Sequence, residues 1–130
     1  MDDSRTVEEL TADIQKRTHW MGRPVRGLHP WADDMELLRA INQGEYLING
    51  FRNRDLQSHF YSARAASPAE RRKRSSAISR KLRMLRAHGL IQKVLRTHRY
   101  MVKENGRAIL IILTTAKTSV KQPNQLPKAA

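Results

Sequence analysis

Apolar residues between residue 71 and residue 90 follow a clear helical period. Ile78, Leu82 and Leu85 recur at i, i+4 and i+7, which places three side chains on one face of a helix. At about 100° per residue, the side chains between them point away from that face. The outward side chains are those of Lys73, Ser76, Arg80 and Arg83. The pattern predicts a helix with one face in a core and one facing an anion, ended by Gly89.

The start of this helix can be placed in two ways. The Ser-Pro-Ala-Glu sequence at residues 67–70 combines a cap, an N1 proline and an N3 glutamate. A helix continuous from there would bring Arg71 and Arg74 to the apolar side, where an unpaired arginine is costly. We therefore expect a short turn over residues 68–73 and a main helix over residues 75–88. A continuous helix whose first turns project beyond the core is the alternative.

Near the N-terminus, a capping box of Thr6 and Glu9 predicts a short amphipathic helix over residues 7–17. Its three apolar positions are too few for it to stand alone, so we expect it to dock on the domain or to pair with a second copy. A frayed tail is the alternative.

Residues 19–31 contain two glycines and two prolines, which predict an irregular arm rather than a regular element. Two tryptophans, Trp20 and Trp31, are expected to hold this arm to the domain. The Gly-Arg-Pro sequence at residues 22–24 is similar to the centre of an AT-hook. Minor-groove contact by Arg23 and Arg26 is therefore an alternative to an ordinary connector.

The next segment predicts a helix, a short strand and a second helix. Asp33, with a glutamate three residues later, offers a capping box for a helix that Gly44 would end. Residues 46–51 have the character of a short extended piece. Asn53 is a suitable N-cap for a helix over residues 54–61.

Downstream of the basic helix, residues 90–102 predict a β-hairpin with its turn at Thr97-His98. A helix then follows over residues 104–117, apolar nearly all round, which would cover the first helix of the domain or pair across a dimer. A strand is the alternative for this segment. Residues 118–130 have no periodicity and two prolines, so a disordered tail is expected.

This order of elements is that of a winged helix-turn-helix domain, and the expected fold is mainly α with a small β-hairpin wing. The chain divides into an N-terminal helix (1–18), an irregular arm (19–32), a winged-helix domain (33–117) and a disordered tail (118–130).

Four stretches of the domain also carry a family resemblance. They are Gly-Phe-Arg-Asn-Arg-Asp-Leu at 50–56, Leu-Arg-Met-Leu-Arg-Ala-His-Gly-Leu-Ile at 82–91, Thr-His-Arg-Tyr at 97–100 and Glu-Asn-Gly-Arg at 104–107. Together they resemble bacterial winged-helix proteins of the MarR and PadR type. The resemblance implies a recognition helix in the major groove, a wing on the flanking backbone, and often a homodimer made by terminal helices. Lys103 stands where that pattern commonly has threonine.

Positive charge is concentrated in one part of the chain. The net charge is +13, but residues 1–63 carry 8 basic and 10 acidic side chains, whereas residues 64–107 carry 14 basic and 2 acidic ones. Most of these cations are arginines, whose planar guanidinium suits phosphates and base edges. We therefore expect a polyanionic partner, double-stranded DNA first, with an acidic protein or an anionic membrane surface as alternatives.

The candidate DNA contacts fall into three groups. On the outward face of the basic helix, contact with base edges or phosphates is expected for Ser76, Ser79, Arg80 and Arg83. Anchoring of the DNA backbone is expected for Arg71, Arg72, Lys73 and Arg74. The hairpin adds Arg96, His98 and Arg99. Plain solvated charge is the alternative for each cation.

Other kinds of chemistry lack a signal in this sequence. There is no cysteine, and the five histidines show no metal-ligand spacing, so neither a metal site nor a cofactor is expected. No phosphate-cradling glycine loop and no nucleophile with a neighbouring base occurs, so we expect no enzymatic activity. No run approaches the roughly 18 apolar residues of a membrane helix, and the acidic start is unlike a signal peptide. A soluble cytoplasmic protein is expected, nucleoid-associated if it binds DNA.

The expected function is sequence-directed or general binding of double-stranded DNA in transcriptional regulation. An RNA-binding or ribosome-associated basic protein is one alternative, and a protein-interaction module built on a winged helix is another.

Overall fold

The computed structural model describes residues 6–113 and residue 115. This part of the chain is mainly helical, with two small antiparallel sheets. In chain order the elements are α1 (Val7–Ile14), β1 (Thr18–Trp20), β2 (Arg23–Val25), α2 (Met35–Ile41), α3 (Gly44–Asn49), β3 (Phe51–Arg52), α4 (Asn53–Phe60), α5 (Pro68–Ala87), β4 (Ile91–Lys93) and β5 (Arg99–Val102). Residues 104–113 are helical and form α6. The expected disordered tail at 118–130 lies outside the described residues.

The three-stranded sheet confirms the predicted hairpin at residues 90–102. Its strands lie in the order β3-β5-β4, so the short β3 pairs with the outer side of the hairpin. In the register, Phe51 lies opposite Tyr100 and Ile91 lies opposite Val102. Phe51, Ile91 and Val102 are buried, so this small sheet contributes one face to the core.

The core is one cluster of apolar side chains drawn from nearly every element. The stripe on α5 is buried as predicted, since Ile78, Leu82 and Leu85 are at most 2% exposed. The predicted helix after the hairpin is confirmed as α6, and the alternative of a strand is wrong. This helix buries only one face: Ile109, Leu110 and Leu113 are buried, whereas Ile111 and Ile112 are 61% and 41% exposed. Pairing across a dimer therefore stays a prediction.

The expected break within the basic helix is wrong, because α5 runs unbroken from Pro68 to Ala87. The Ser67 hydroxyl caps it by accepting a hydrogen bond from the Glu70 backbone N–H at 3.1 Å. The break was expected because burying an unpaired arginine is costly, but no such arginine is buried here. Arg71 is exposed because the first turns extend beyond the core, and the half-buried Arg74 has polar partners.

The extended piece expected at residues 46–51 is mostly helical, which corrects that prediction. Gly44 begins α3 rather than ending α2, and only Phe51–Arg52 forms a strand. Tyr46 and Leu47 pack half-buried against the core, and a short helix satisfies their backbone where no strand partner is available.

Two predicted caps are also wrong. Asp34, not Asp33, precedes α2, and its side chain makes no capping bond because its carboxylate is bound elsewhere. Asn53 is the first residue of α4 rather than its cap, and its amide group faces α5. Asp55 fixes the start of α4 instead, by accepting a hydrogen bond from the Arg52 backbone N–H at 2.8 Å.

The N-terminal helix is confirmed with its capping box, but it ends at Ile14. Ile14 is 3% exposed, so α1 docks on the domain. The irregular arm is not wholly irregular: β1 and β2 form an antiparallel hairpin around Met21 and Gly22. Both turn residues have positive φ, 54° and 81°, which suits a two-residue hairpin turn and is natural for Gly22.

Candidate nucleic-acid interface

The outward face of α5 is a stripe of polar and basic side chains. Helical geometry at about 100° per residue places six polar or basic residues within about 60° of the direction of Ser76. They are Arg72, Lys73, Ser76, Ser79, Arg80 and Arg83, and all six are exposed. At a rise of about 1.5 Å per residue, the stripe from Arg72 to Arg83 is about 17 Å long, so it offers a continuous edge to an anionic surface.

One amide side chain of α4 forms hydrogen bonds to α5. The Asn53 side-chain N–H donates to the Ser75 carbonyl oxygen at 3.1 Å and to the Ser79 hydroxyl at 3.0 Å. The Asn53 side-chain oxygen in turn accepts from Gln57 at 2.5 Å. The hydrogen bond from Asn53 therefore fixes the orientation of the Ser79 hydroxyl, while Ser79 stays exposed.

Arg74 differs from the other members of its basic run. Its side chain is 18% exposed, and its guanidinium donates to the Glu70 carboxylate at 3.2 Å and to the Ala63 carbonyl oxygen at 2.7 Å. The same guanidinium lies 4.7 Å from the centre of the Tyr61 ring. This arginine ties α5 to the segment before it, whereas Arg71, Arg72 and Lys73 are exposed.

Three surface depressions meet along α5, and we call their union the basic groove. The first lies between the β1–β2 hairpin, α5 and Tyr100, and the second between the start of α4, α5 and the β4–β5 hairpin, residues 91–102, which we call the wing. The third covers the wing turn. Ser79 and Tyr100 line the first two, Arg86 lines the first and third, and His98 lines the second and third, so the surface is continuous.

The charge of the basic groove has one sign. The cations that line it are Arg23, Arg52, Arg54, Arg83, Arg86, Lys93 and Arg96, and His98 lies among them. Within the described part of the chain, no carboxylate lines any of the three depressions. A concave surface whose charged side chains are all cationic concentrates the field that attracts a polyanion.

The wing turn is ordered by its own hydrogen bonds. The Thr97 hydroxyl donates to the Val94 carbonyl oxygen at 2.8 Å and accepts from the Arg99 backbone N–H at 3.0 Å. Arg96 has a positive φ of 64° and is exposed beside His98. The turn therefore presents Arg96 and His98 towards the groove.

The structure brings only some of the candidate residues together. Ser79, Arg83, Arg96 and His98 line the basic groove, and the exposed residues Ser76, Arg80, Arg71, Arg72 and Lys73 continue from it along α5. Arg74 is bound internally. Arg99 lies in a neighbouring depression, which shares Arg52 and Arg54 with the basic groove and whose lining includes the carboxylates of Glu45 and Asp55.

Four groove cations were not named from the sequence: Arg52, Arg54, Arg86 and Lys93. Arg23 was named only in the alternative of minor-groove contact. Arg52 and Arg54 lie in the segment of balanced charge, so counting charge along the chain could not find them. The signal that could have found them is their position at the start of α4, because the helix before a recognition helix crosses the DNA backbone.

An ion pair between the buried Asp34 and the exposed Arg26 lies at the base of the β1–β2 hairpin. Asp34 is 1% exposed, and its two carboxylate oxygens accept from Arg26 at 2.8 and 2.9 Å and from the His29 backbone N–H at 2.7 Å. Burial by itself raises the pKa of Asp34, but the hydrogen bonds from Arg26 and His29 lower it more, so the net pKa lies below the ordinary value. The hydrogen bond to Asp34 raises the pKa of Arg26.

Other kinds of site have no counterpart among the described residues. Over residues 6–113, no group of three histidine or acidic side chains could hold a metal ion. No helix in the same range has the length and apolar character needed to cross a bilayer.

Comparisons of the chain with protein-family models, with curated proteins and with solved structures find no match.

Proposed function

We propose that this protein is a winged helix-turn-helix protein that binds double-stranded DNA, with α5 as its recognition helix, and that it acts in transcriptional regulation. The observation that carries the proposal is the basic groove: a continuous concave surface along α5, lined by cations from α4, α5 and the wing and by no described carboxylate. The order of elements and the three-stranded sheet at the wing support it.

The proposed binding mode follows from the dimensions of the two partners. An α-helix with its side chains is about 10–12 Å across, and the major groove of B-DNA is about 12 Å wide. With α5 in that groove, Ser76, Ser79, Arg80 and Arg83 face base edges. Guanidinium groups are suited to hydrogen bonds with guanine, and hydroxyl groups can form hydrogen bonds with several bases.

Backbone contacts complete the proposed mode. In this mode, the phosphates that flank the major groove are contacted from two places. These are the basic run at the start of α5, without Arg74, and the wing residues Arg96 and His98. Such contacts fix the position of the protein without selecting a sequence. A nucleoid-associated, cytoplasmic location follows from this proposal.

The test is a gel shift of duplex DNA at fixed salt with the Arg80→Ala/Arg83→Ala double variant. Both side chains are exposed, so the variant should fold and should bind at least about 10-fold more weakly. The control is Arg39→Ala, which removes one positive charge from α2, outside the basic groove, and is compared with Arg80→Ala and Arg83→Ala made singly. Equal binding by wild type and the double variant would contradict the assignment of α5.

The nucleic-acid class is tested by competition with structured RNA. A-form RNA has a deep, narrow major groove that excludes a helix, so duplex DNA should compete better than RNA of equal length. Stronger competition by RNA would overturn the proposed mode in favour of an RNA-binding protein. Partner binding without any retardation of nucleic acid would favour a protein-interaction module.

A homodimer through terminal helices, which the family resemblance implies, belongs to the same proposal. Selection of bound fragments from random duplex DNA should then enrich a palindrome, because two-fold symmetric proteins read two half-sites. An enriched sequence without a repeat would contradict the dimer.

A further inference from the structure

We propose that the β1–β2 hairpin is a second DNA-contacting arm, in which Arg23 and Met21 contact the duplex beside the stretch covered by α5 and the wing. This inference rests on the proposed function and extends it to an element outside the winged-helix order.

The first support is the position of the hairpin. β1 packs against α5, and the Arg86 guanidinium lies 5.0 Å from the centre of the Trp20 ring. Met21 and Arg23 line the same depression as Arg83 and Arg86 of the proposed recognition helix. A duplex that follows α5 therefore passes the exposed end of the hairpin.

The second support is that the hairpin is fixed in place at its base on three sides. The Leu28 backbone N–H donates to the Ile14 carbonyl oxygen at 2.7 Å, which joins the base to α1. His88, at the end of α5, donates through Nε2 to the Arg26 carbonyl oxygen at 2.9 Å. On the third side, the Arg26 guanidinium is bound by the carboxylate of Asp34.

Close packing at Gly27 adds to this anchoring. A Cβ atom at this position would lie 2.0 Å from the Gln15 carbonyl oxygen, so only glycine allows the base to approach α1 so closely. Ordering free backbone on binding costs conformational entropy. An arm that is already ordered avoids this cost when it binds. A simple connector would have no need of such order.

The third support is the chemistry of the exposed end. Met21 is 86% exposed at the tip, and Arg23 is exposed next to it. Proteins that contact the minor groove combine arginine, which favours a narrow groove, with apolar side chains that press against base steps.

The structure also separates the two arginines of the arm. Arg26 is engaged by Asp34, so it is a positioning residue that holds the hairpin at its base. Arg23 is exposed and lines the groove, so it is the residue that would contact DNA.

The test is hydroxyl-radical footprinting, combined with gel shifts, of the full chain on an end-labelled duplex longer than the protected region. For the Met21→Ala/Arg23→Ala double variant we expect loss of protection at one end of the footprint and about 10-fold weaker binding. On a duplex trimmed to remove that end, wild type and variant should bind equally. Arg39→Ala serves again as the control for charge.

The outcomes distinguish this inference from the proposed function. Loss of the whole footprint with Arg80→Ala/Arg83→Ala, but none with the hairpin variant, would overturn the second arm and keep the recognition helix. An equal loss on long and trimmed duplexes would also overturn the arm, because the hairpin would then act only through α5. No change with either variant would overturn the proposed function itself.

A positioning variant gives a second readout. Asp34→Asn removes the charge that holds Arg26, so it should weaken binding to the long duplex and leave binding to the trimmed duplex unchanged. Unchanged binding to both, with Asp34→Asn still folded, would contradict the role given to the base of the hairpin.

Discussion

Arg71 and Arg74 lie three residues apart on α5, yet their surroundings differ completely. Arg71 is exposed, whereas Arg74 is bound to Glu70, to the Ala63 carbonyl oxygen and to the Tyr61 ring. In the sequence they belong to one basic run. Their environments differ because the first turns of α5 project beyond the core on one side and contact the preceding segment on the other.

We expect Arg74→Ala to lower the free energy of unfolding by about 1–2 kcal/mol, because it removes charge-assisted hydrogen bonds from a half-buried side chain. Arg71→Ala should change stability by less than about 0.5 kcal/mol and weaken duplex binding instead. Urea unfolding and gel shifts of both variants check this. Equal destabilisation by both would contradict the division.

At Asp34, the ion pair predicts how stability depends on pH. Its folded-state pKa lies below the ordinary value of 3.8, so the stability it contributes is fully present above that value and is lost as pH falls through the lowered pKa. We expect Asp34→Asn to cost about 2 kcal/mol at neutral pH and progressively less below about pH 3.8. Urea unfolding across this range measures the difference, and a cost independent of pH would refute the linkage.

The same contacts show why residue roles escaped the sequence. The residues next to Arg74 in the chain do not indicate that its side chain contacts Tyr61 and Ala63. Likewise, the residues next to Arg26 do not indicate its bond to Asp34, eight residues further on. Both depend on how loops fold back. Apolar periodicity predicts which face is buried, but it does not predict which cation is satisfied within the fold.

At the scale of the element, local signals were decisive where they were strong. The Thr6–Glu9 capping box and the Ser67 cap both form in the structure. The error at α5 came from treating a cost for buried arginine as decisive over a strong start signal. Its first turns avoid that cost by leaving the core.

Short elements were missed for a different reason. Strands β1 and β2 have three residues each, too few to show alternation, and the non-glycine Met21 occupies half of the turn with positive φ. Helix α3 is built partly from Tyr46 and Ile48, residues that favour strands. Packing against the core decided both outcomes, and no local pattern encodes it.

The cap of α5 gives a test of its continuity. We expect Ser67→Ala to destabilise the protein by about 1 kcal/mol, because the Glu70 backbone N–H loses its acceptor. Ser62→Ala, in the exposed segment upstream, should be neutral. Denaturant unfolding compares them. A neutral Ser67→Ala would mean that the helix begins further along the chain, as first expected from the arginine cost.

At the scale of the whole molecule, the fold gathers cations that the chain separates. Arg23, Arg52 and Arg54 come from the acidic half of the sequence, and the basic groove sets them beside α5. The positively charged surface that would face a polyanion therefore includes residues from outside the basic segment 64–107.

Salt dependence measures that field. If about 6 to 10 phosphates are contacted, the logarithm of the binding constant should fall with the logarithm of salt concentration with a slope of about −5 to −9. Each groove arginine that contacts a phosphate should reduce the slope by about 1 when it is replaced by alanine. Titrations in several salt concentrations give the slope, and a value near zero would show that counterion release is not the driving force.

The contact between Arg86 and Trp20 gives the molecule an optical reporter of its own. Trp20 is one of two tryptophans, and it lines the basic groove whereas Trp31 does not line any part of it. A Trp31→Phe variant would leave Trp20 as the single indole emitter. A polyanion that draws Arg86 towards itself should change the emission of that indole, so binding could be followed by fluorescence on the unlabelled protein.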